Sequence, residues 1–360
     1  MKPYIIGETA YNHEGNIDYL KKMIDDIAEI GLNAVKFHLL LNPDSYINED
    51  HPVYNNIKNW VFTKKQWDDI FEYSHKSDLE IVALCDDIES LKYINEEHNE
   101  IEAIELHSTG LNDCFLLEEA SKFNGQVILG IGGSTVDEIN YSIEFLKKRE
   151  KNNIMLMYGF QSYPTDYADI NLSKMEKFKE LFNLPIGYAD HTDYDDKNNI
   201  DISVMGAAMG INILEKHYTP DFGKERIDYH AAVGKEQMEE IKNKMEIYSD
   251  VYGDGSLSMS KSELKYGVKG PMKKSIVARN TIKVGEKITL EKVWFKRTKN
   301  KTTVKQKLIN EILGQEAVKE IKKNEIIDFS KITNLSDKSS NEDFGLEVTE
   351  WRLVFWLLQD

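Results

Sequence analysis

YIIGETAYNHEGNIDYLKKMIDDIAEIGLNAVKFHLL, residues 4–40, holds one full period of a pattern that runs through most of the chain. The opening run, YIIGETA (4–10), is short and β-rich and reads as a strand. Tyr19, Leu20, Met23, Ile24, Ile27 and Ile30 then recur at helical spacing, which predicts a helix with one apolar face. Gly31 stands where a helix-ending glycine is expected. NAVKFHLL (33–40) returns to strand.

The same alternation continues. EIVALCD (80–86), AIELHS (103–108), QVILGIG (126–132), NIMLMYGF (153–160), LPIGYADH (184–191) and NILEKHYT (212–219) are further strand-like runs, with helix-like stretches between them. Eight strand–helix repeats predict a (β/α)8 barrel, an α/β fold, over residues 1–254. An open doubly wound sheet is the alternative. It fits less well because no glycine-rich phosphate loop follows the first strand. GIGGST (130–135) reads as a tight turn into a helix. Near residue 255 the composition shifts. Residues 255–270 are rich in Ser, Gly and Lys and read as a linker. KSIVARNTIKVGEKITLEKVWFKRT (274–298) and its shorter echo EAVKEIKKNEIIDFSKI (316–332) predict a small β-rich domain at 271–333. Residues 334–360 are a polar tail ending in a short apolar segment, EVTEWRLVFWLLQD, too short to cross a bilayer.

The net charge of −17 argues against nucleic acid as a partner, without excluding a small anion held in a local basic pocket. Two distant cysteines, Cys85 and Cys114, fit a reducing cytoplasm and no disulfide framework. The opening residues have only a short apolar piece, so neither a signal peptide nor a membrane span is expected there.

Barrel enzymes build their sites at the C-terminal ends of the strands. Here those ends carry Glu8, with Asn12 and His13 in the following loop; Lys36 and His38; Glu105, His107 and Ser108; Asp190 and His191; and Glu215, Lys216 and His217. Strand residues alternate faces, so Glu215 and His217 point one way and Lys216 the other. His191 and His217 end neighbouring strands. Each alone fits a hydrogen-bonded core histidine; together they suit one divalent ion, Mn²⁺, Fe²⁺ or Zn²⁺, with open positions for water or substrate. Asp190 or Glu215 would orient an imidazole.

These residues resemble a family. Glu8 with Asn12-His13-Glu14-Gly15, Val35-Lys36-Phe37, Tyr163-Pro164-Thr165, IGYADHT (186–192) and ILEKHYT (213–219) stand in the order of the motifs of the sialic acid synthases. Those barrel enzymes condense phosphoenolpyruvate with an N-acetylated hexosamine to a nonulosonic acid and phosphate. IVARNTIKVGEKITLEKVWFKR resembles their small C-terminal domain, which is related to type III antifreeze protein. The resemblance covers residues 4 to about 330. It implies that His191 and His217 hold Mn²⁺ and that Glu8 and Lys36 are catalytic. Glu8 would be the base for water addition, and Lys36 would neutralise a carboxylate or phosphate. It also implies that Asn12, Ser108, Gln161, Tyr163, Asp190 and Arg297 bind substrate, Arg297 from the neighbouring chain of a domain-swapped homodimer. The departures fall on the phosphate side. Glu105 replaces the lysine that grips phosphate, Gly110 replaces an acidic residue that touches the amino sugar, and Ala189 replaces a serine. Gly130-Ile131-Gly132 replaces Ser-Thr-Gly, and Gln161-Ser162 replaces Asn-x before Tyr163. Two other readings therefore stay open: a metal-dependent barrel enzyme with a different substrate, and a non-catalytic sugar-binding homologue.

Overall fold

The computed structural model describes residues 2–160, 162 and 165–333. Contacts divide the chain into two compact units, Met1–Ser256 and the chain from Leu257 on.

In the first unit eight strands close into a barrel in sequence order: β1 (Tyr4–Glu8), β2 (Ala34–Leu39), β3 (Glu80–Cys85), β4 (Ala103–Leu106), β5 (Gln126–Gly130), β6 (Ile154–Tyr158), β7 (Ile186–Asp190) and β8 (Ile213–His217). Every pairing is parallel, and β1 meets β8 with Glu8 opposite His217. The predicted first helix is α1 (Ile17–Ile30). Asn16 caps it by accepting from the N–H groups of Asp18 and Tyr19. Gly31 ends it at φ 75°, a left-handed conformation that a side chain disfavours. Leu20, Met23, Ile24, Ile27 and Ile30 are buried against the strands. The contact is close at Gly7, where a Cβ would lie 2.8 Å from the Ile27 side chain. Each of strands β2 to β8 is followed by a helix that packs on the barrel: α2 (Lys64–Lys76), α3 (Ile88–Glu97), α4 (Cys114–Ala120), α5 (Val136–Lys147), α6 (Ser173–Phe182), α7 (Asn199–Ala208) and α8 (Lys235–Tyr252), with a shorter helical stretch, Tyr54–Trp60, ahead of α2.

The main core lies between the strands and these helices. A smaller cluster fills the barrel: Ile6, Ala34, Val82, Ala103, Ile128, Met155, Met157 and Ala189. Because side chains alternate along a strand, the residues two positions beyond Ile6, Ala34 and Ala103 face the same interior, nearer the C-terminal ends. Those residues are Glu8, Lys36 and Glu105. The barrel interior is thus apolar below and charged above.

In the second unit β9 (Ser275–Ala278) pairs antiparallel with β10 (Val293–Lys296). Single bridges such as Ile282 with Ile321 and Ala317 with Ile332 tie the rest together. Its core includes Ile276, Ile282, Ile288, Val304, Ile312, Ile321 and Ile327. The stretch expected as a linker contains a short helix, α9 (Lys261–Tyr266), capped by Ser260 and Glu263. The polar tail and apolar segment at 334–360 lie outside the described residues.

Candidate active site

Glu8, at the end of β1, is the hub of the charged layer. Its Oε2 lies 3.0 Å from His217 Nε2. Its Oε1 lies 3.0 Å from His38 Nε2 and 3.4 Å from Lys36 Nζ. Burial raises the Glu8 pKa, but the Lys36 and His217 charges and the imidazole hydrogen bonds outweigh it and hold the carboxyl well below its ordinary range. Glu8 is therefore an ionised anchor, and a weaker proton acceptor than an ordinary glutamate.

Lys36 is fully buried, with its ammonium 2.8 Å from Glu105 Oε2 and 2.8 Å from Glu215 Oε1. Burial lowers its pKa, and the three carboxylates raise it by more, so it stays charged. Its charge is already matched by this chain's own acids, which limits the anion-neutralising role expected of it. Glu215 Oε2 is buried with no donor in reach. Burial, then the neighbouring Glu8 charge, push the Glu215 pKa well up. The Glu215 carboxyl thus holds a proton more readily than an ordinary glutamate does. Glu105 packs beside Gly130, where a Cβ would come within 3.2 Å of Glu105 Oε1. The glycines after β5 serve close packing too: a Cβ on Gly132 would lie 2.0 Å from the Gly159 carbonyl oxygen.

His191 and His217 face each other with ring centroids 5.0 Å apart. His191 Nδ1 donates to the Ala189 carbonyl at 3.2 Å, which leaves Nε2 as the lone-pair nitrogen. Burial, then the His217 charge, hold the His191 pKa down at about 3, so its ring is neutral, as a metal ligand must be. Among the described residues, Glu8, His191 and His217 are the one group of three His, Cys, Asp or Glu side chains whose ligand atoms all lie within 4.8 Å of one another. The geometry fits a first-row divalent ion. With bonds of about 2.1 Å, two ligands at right angles stand about 3.0 Å apart, the spacing of Glu8 Oε2 and His217 Nε2.

The other expected residues separate. Asp190 does not face the barrel interior. It is the last residue of β7, one before His191, and its carboxylate turns outward, where it accepts from Lys216 at 2.7 Å and from the hydroxyls of Ser203, Thr192 and Tyr188. Its role is to hold strand to helix. Asn12 is also engaged: its amide donates to the Ile227 carbonyl, and its oxygen accepts from Tyr19. Ser108 opens a single 3-10 turn, Ser108–Gly110, directly after β4. Arg297 belongs to the second unit, where its Nε donates to the Pro271 carbonyl at 2.6 Å. Gln161 and Tyr163 lie outside the described residues. His13 is a loop support, stacked on Phe62 and accepting from the Gly15 N–H.

Sequence reasoning placed His38 at a strand end without a role, and it passed over Asp86. His38 Nδ1 lies 3.8 Å from Asp86 Oδ2, and Tyr11 donates to that same oxygen. Burial lowers the His38 pKa, and the Glu8 hydrogen bond with the Asp86 and Glu8 charges raises it by more. The available signal was the same alternation that placed Lys36: His38 is two residues further along the same face.

The NeuB family model matches residues 23–257, and the SAF domain model matches 273–333. The chain belongs to the NeuB family. Several known proteins resemble it over most of their length. N,N'-diacetyllegionaminic acid synthase of Campylobacter jejuni is 26% identical, over 91% of this chain and 99% of that protein. Pseudaminic acid synthase of the same species is 26% identical, over 89% and 94%. The crystal structure of the N-acetylneuraminic acid synthetase of Leptospira borgpetersenii, in complex with citrate, matches with a TM-score of 0.68 at 29% identity, covering 74% of this chain and 90% of that one. No helix among the described residues is long and apolar enough to cross a membrane.

Proposed function

We propose that this NeuB-family barrel condenses phosphoenolpyruvate with an N-acetylated hexosamine, N-acetylmannosamine or a diacetamido sugar, to give a nonulosonic acid and phosphate. The observation that carries this reading is the Glu8–His191–His217 triad at the C-terminal mouth of the barrel. A divalent cation held by these three, Mn²⁺ by preference, supplies Lewis-acid polarisation of the acceptor's aldehyde oxygen. The new bond joins the enol carbon of phosphoenolpyruvate to the aldehyde carbon. Water then adds to the adjacent carbon, and the carbon–oxygen bond to phosphate breaks.

The chain's own residues set the conditions. His191, neutral and fixed by the Ala189 carbonyl, presents Nε2 inward. Glu8 contributes one oxygen to the same point while Lys36 and His38 hold the other. As the proton acceptor for water addition, Glu8 is disfavoured by the same contacts, so its main role here is to hold charge at the mouth. Ser108, in the turn after β4, would meet the donor. Arg297 contacts the sugar from the second unit, supplied by the partner chain of a swapped homodimer. Two free cysteines suit a reducing cytoplasm.

Glu105 favours a second reading. Its carboxylate sits on Lys36 where the family resemblance puts a phosphate-gripping lysine. A carboxylate repels a phosphate, so the donor can be one with less negative charge. One experiment separates the readings: inorganic phosphate release from phosphoenolpyruvate with a panel of N-acetylated hexosamines, with the product weighed by mass spectrometry. A nine-carbon acid formed only with metal supports the synthase reading. Bound Mn²⁺ without phosphate release from any acceptor refutes it in favour of another donor.

A further inference from the structure

We infer that His38 is the positioning residue for Glu8, and that its Nε2–H fixes the carboxylate so that Oε2 is presented to the divalent cation. This inference rests on the metal reading of the triad and assigns a residue to it from outside the ligand set.

A carboxylate ligand must have its second oxygen held, or it turns away from the ion. Two donors reach Glu8 Oε1. Lys36 stands at 3.4 Å and is shared with Glu105 and Glu215, both closer at 2.8 Å. His38 Nε2 stands at 3.0 Å and makes no other hydrogen bond among the described residues. The imidazole is thus the stronger and more directional hold. A carboxylate that serves as a metal ligand can only accept through its second oxygen, so at 3.0 Å the hydrogen lies on His38 Nε2.

His38 is itself held from behind. Asp86, the residue after β3, lies 3.8 Å from Nδ1, within ion-pair reach but beyond a good hydrogen bond. Tyr11 donates to Asp86 and sets its ring edge-on to the imidazole at 5.2 Å. His107 adds a third ring at 6.2 Å. The ring is mostly buried, with 15% of its side chain exposed. It therefore lies at the rim of the site, where it acts through Glu8.

The test uses the full chain stripped of metal and titrated with Mn²⁺ by calorimetry. His38→Phe keeps a ring among Tyr11 and His107 and removes the donor. His38→Gln keeps an N–H at about the same reach. Loss of a group that orients a metal ligand typically costs 10–100-fold in affinity. The expected result is a loss of that size in His38→Phe, with most of the affinity kept in His38→Gln and the same metal-free melting temperature in both. If His38→Phe melts lower, His38→Ala, which makes no packing demand, takes its place. His191→Ala, which removes a ligand, is the reference for the metal reading. Wild-type affinity in His38→Phe, while His191→Ala loses the ion, overturns the inference and leaves the metal reading standing. Equal loss in His38→Phe and His38→Gln also overturns it, because the donor is then not what matters. An unmutated chain that takes up no Mn²⁺, or a His191→Ala chain that keeps it, overturns both.

Discussion

Replacing Lys36 by Met removes one positive charge from a fully buried site and leaves the chain nearly isosteric. In the native barrel the ammonium stands 2.8 Å from Glu105, 2.8 Å from Glu215 and 3.4 Å from Glu8. Burial and the Glu8 charge already push Glu215 toward its neutral form, and Glu8 keeps the His38 and His217 hydrogen bonds, so Glu105 is the carboxylate left without a partner. Breaking a buried ion pair from one side costs about 3–5 kcal/mol, because the other charge stays buried and unpaired. In a unit of this size each kcal/mol moves the melting midpoint by roughly 2–4 °C, so Lys36→Met should melt roughly 6–20 °C lower. The second substitution Glu105→Gln removes the orphaned charge and should return about 1–3 kcal/mol of that loss. The pH dependence has a definite sign. Burial already raises the Glu105 pKa, and Lys36 is the main influence lowering it. Without Lys36 the folded value rises further above the unfolded one. The folded state is then favoured below the unfolded pKa and loses stability as pH rises. The melting deficit of Lys36→Met should be smaller at pH 5 than at pH 8. Calorimetric or fluorescence melting of wild type, Lys36→Met and the double variant at both pH values decides it. A Lys36→Met chain that melts within about 2 °C of wild type, or a double variant no more stable than the single one, refutes the ion-pair account.

Glu105→Gln by itself should tighten phosphoenolpyruvate binding in isothermal titration, since it frees part of the Lys36 charge; unchanged affinity means that the phosphate seats elsewhere. Asp190→Asn should lower the melting temperature at pH 7 and narrow the gap to wild type as pH falls. Burial opposes ionisation of Asp190, but Lys216 and the hydroxyls hold its pKa below the ordinary carboxylate value, so its contribution is present above the unfolded pKa and is lost on acidification. Mixing an Arg297→Ala chain with a His217→Ala chain should restore up to about a quarter of wild-type activity, because random pairing puts one complete site of two in half of the swapped dimers; a mixed sample that stays inactive with well-folded chains excludes the swapped arrangement.

The barrel was legible because its evidence is local and repeated. Helical spacing from Tyr19 to Ile30, a terminating glycine at Gly31 and a strand on each side are short-range properties, and eight repeats leave little freedom in how they pack. The same short-range rule places Glu215 and His217 on one face and Lys216 on the other. Lys216 does reach outward to Asp190, while Glu215 reaches inward to Lys36. Applied at β7, the rule also separates Asp190 from His191, which is why Asp190 meets Lys216 and not the barrel interior.

What the sequence by itself determined is therefore the fold, the family and the alternation of faces at β8, because backbone periodicity and motif order are written in consecutive residues. Tertiary structure alone decided who meets whom at the mouth. Lys36 finds Glu215 from 179 positions away, and His38 finds Glu8 across the β1–β2 pair. Barrel closure sets those distances, and the distances, more than the residue types, decide the charges. The same glutamate side chain has its pKa pushed down at Glu8 and pushed up at Glu215, because one accepts from two imidazoles and the other has a buried oxygen with no donor.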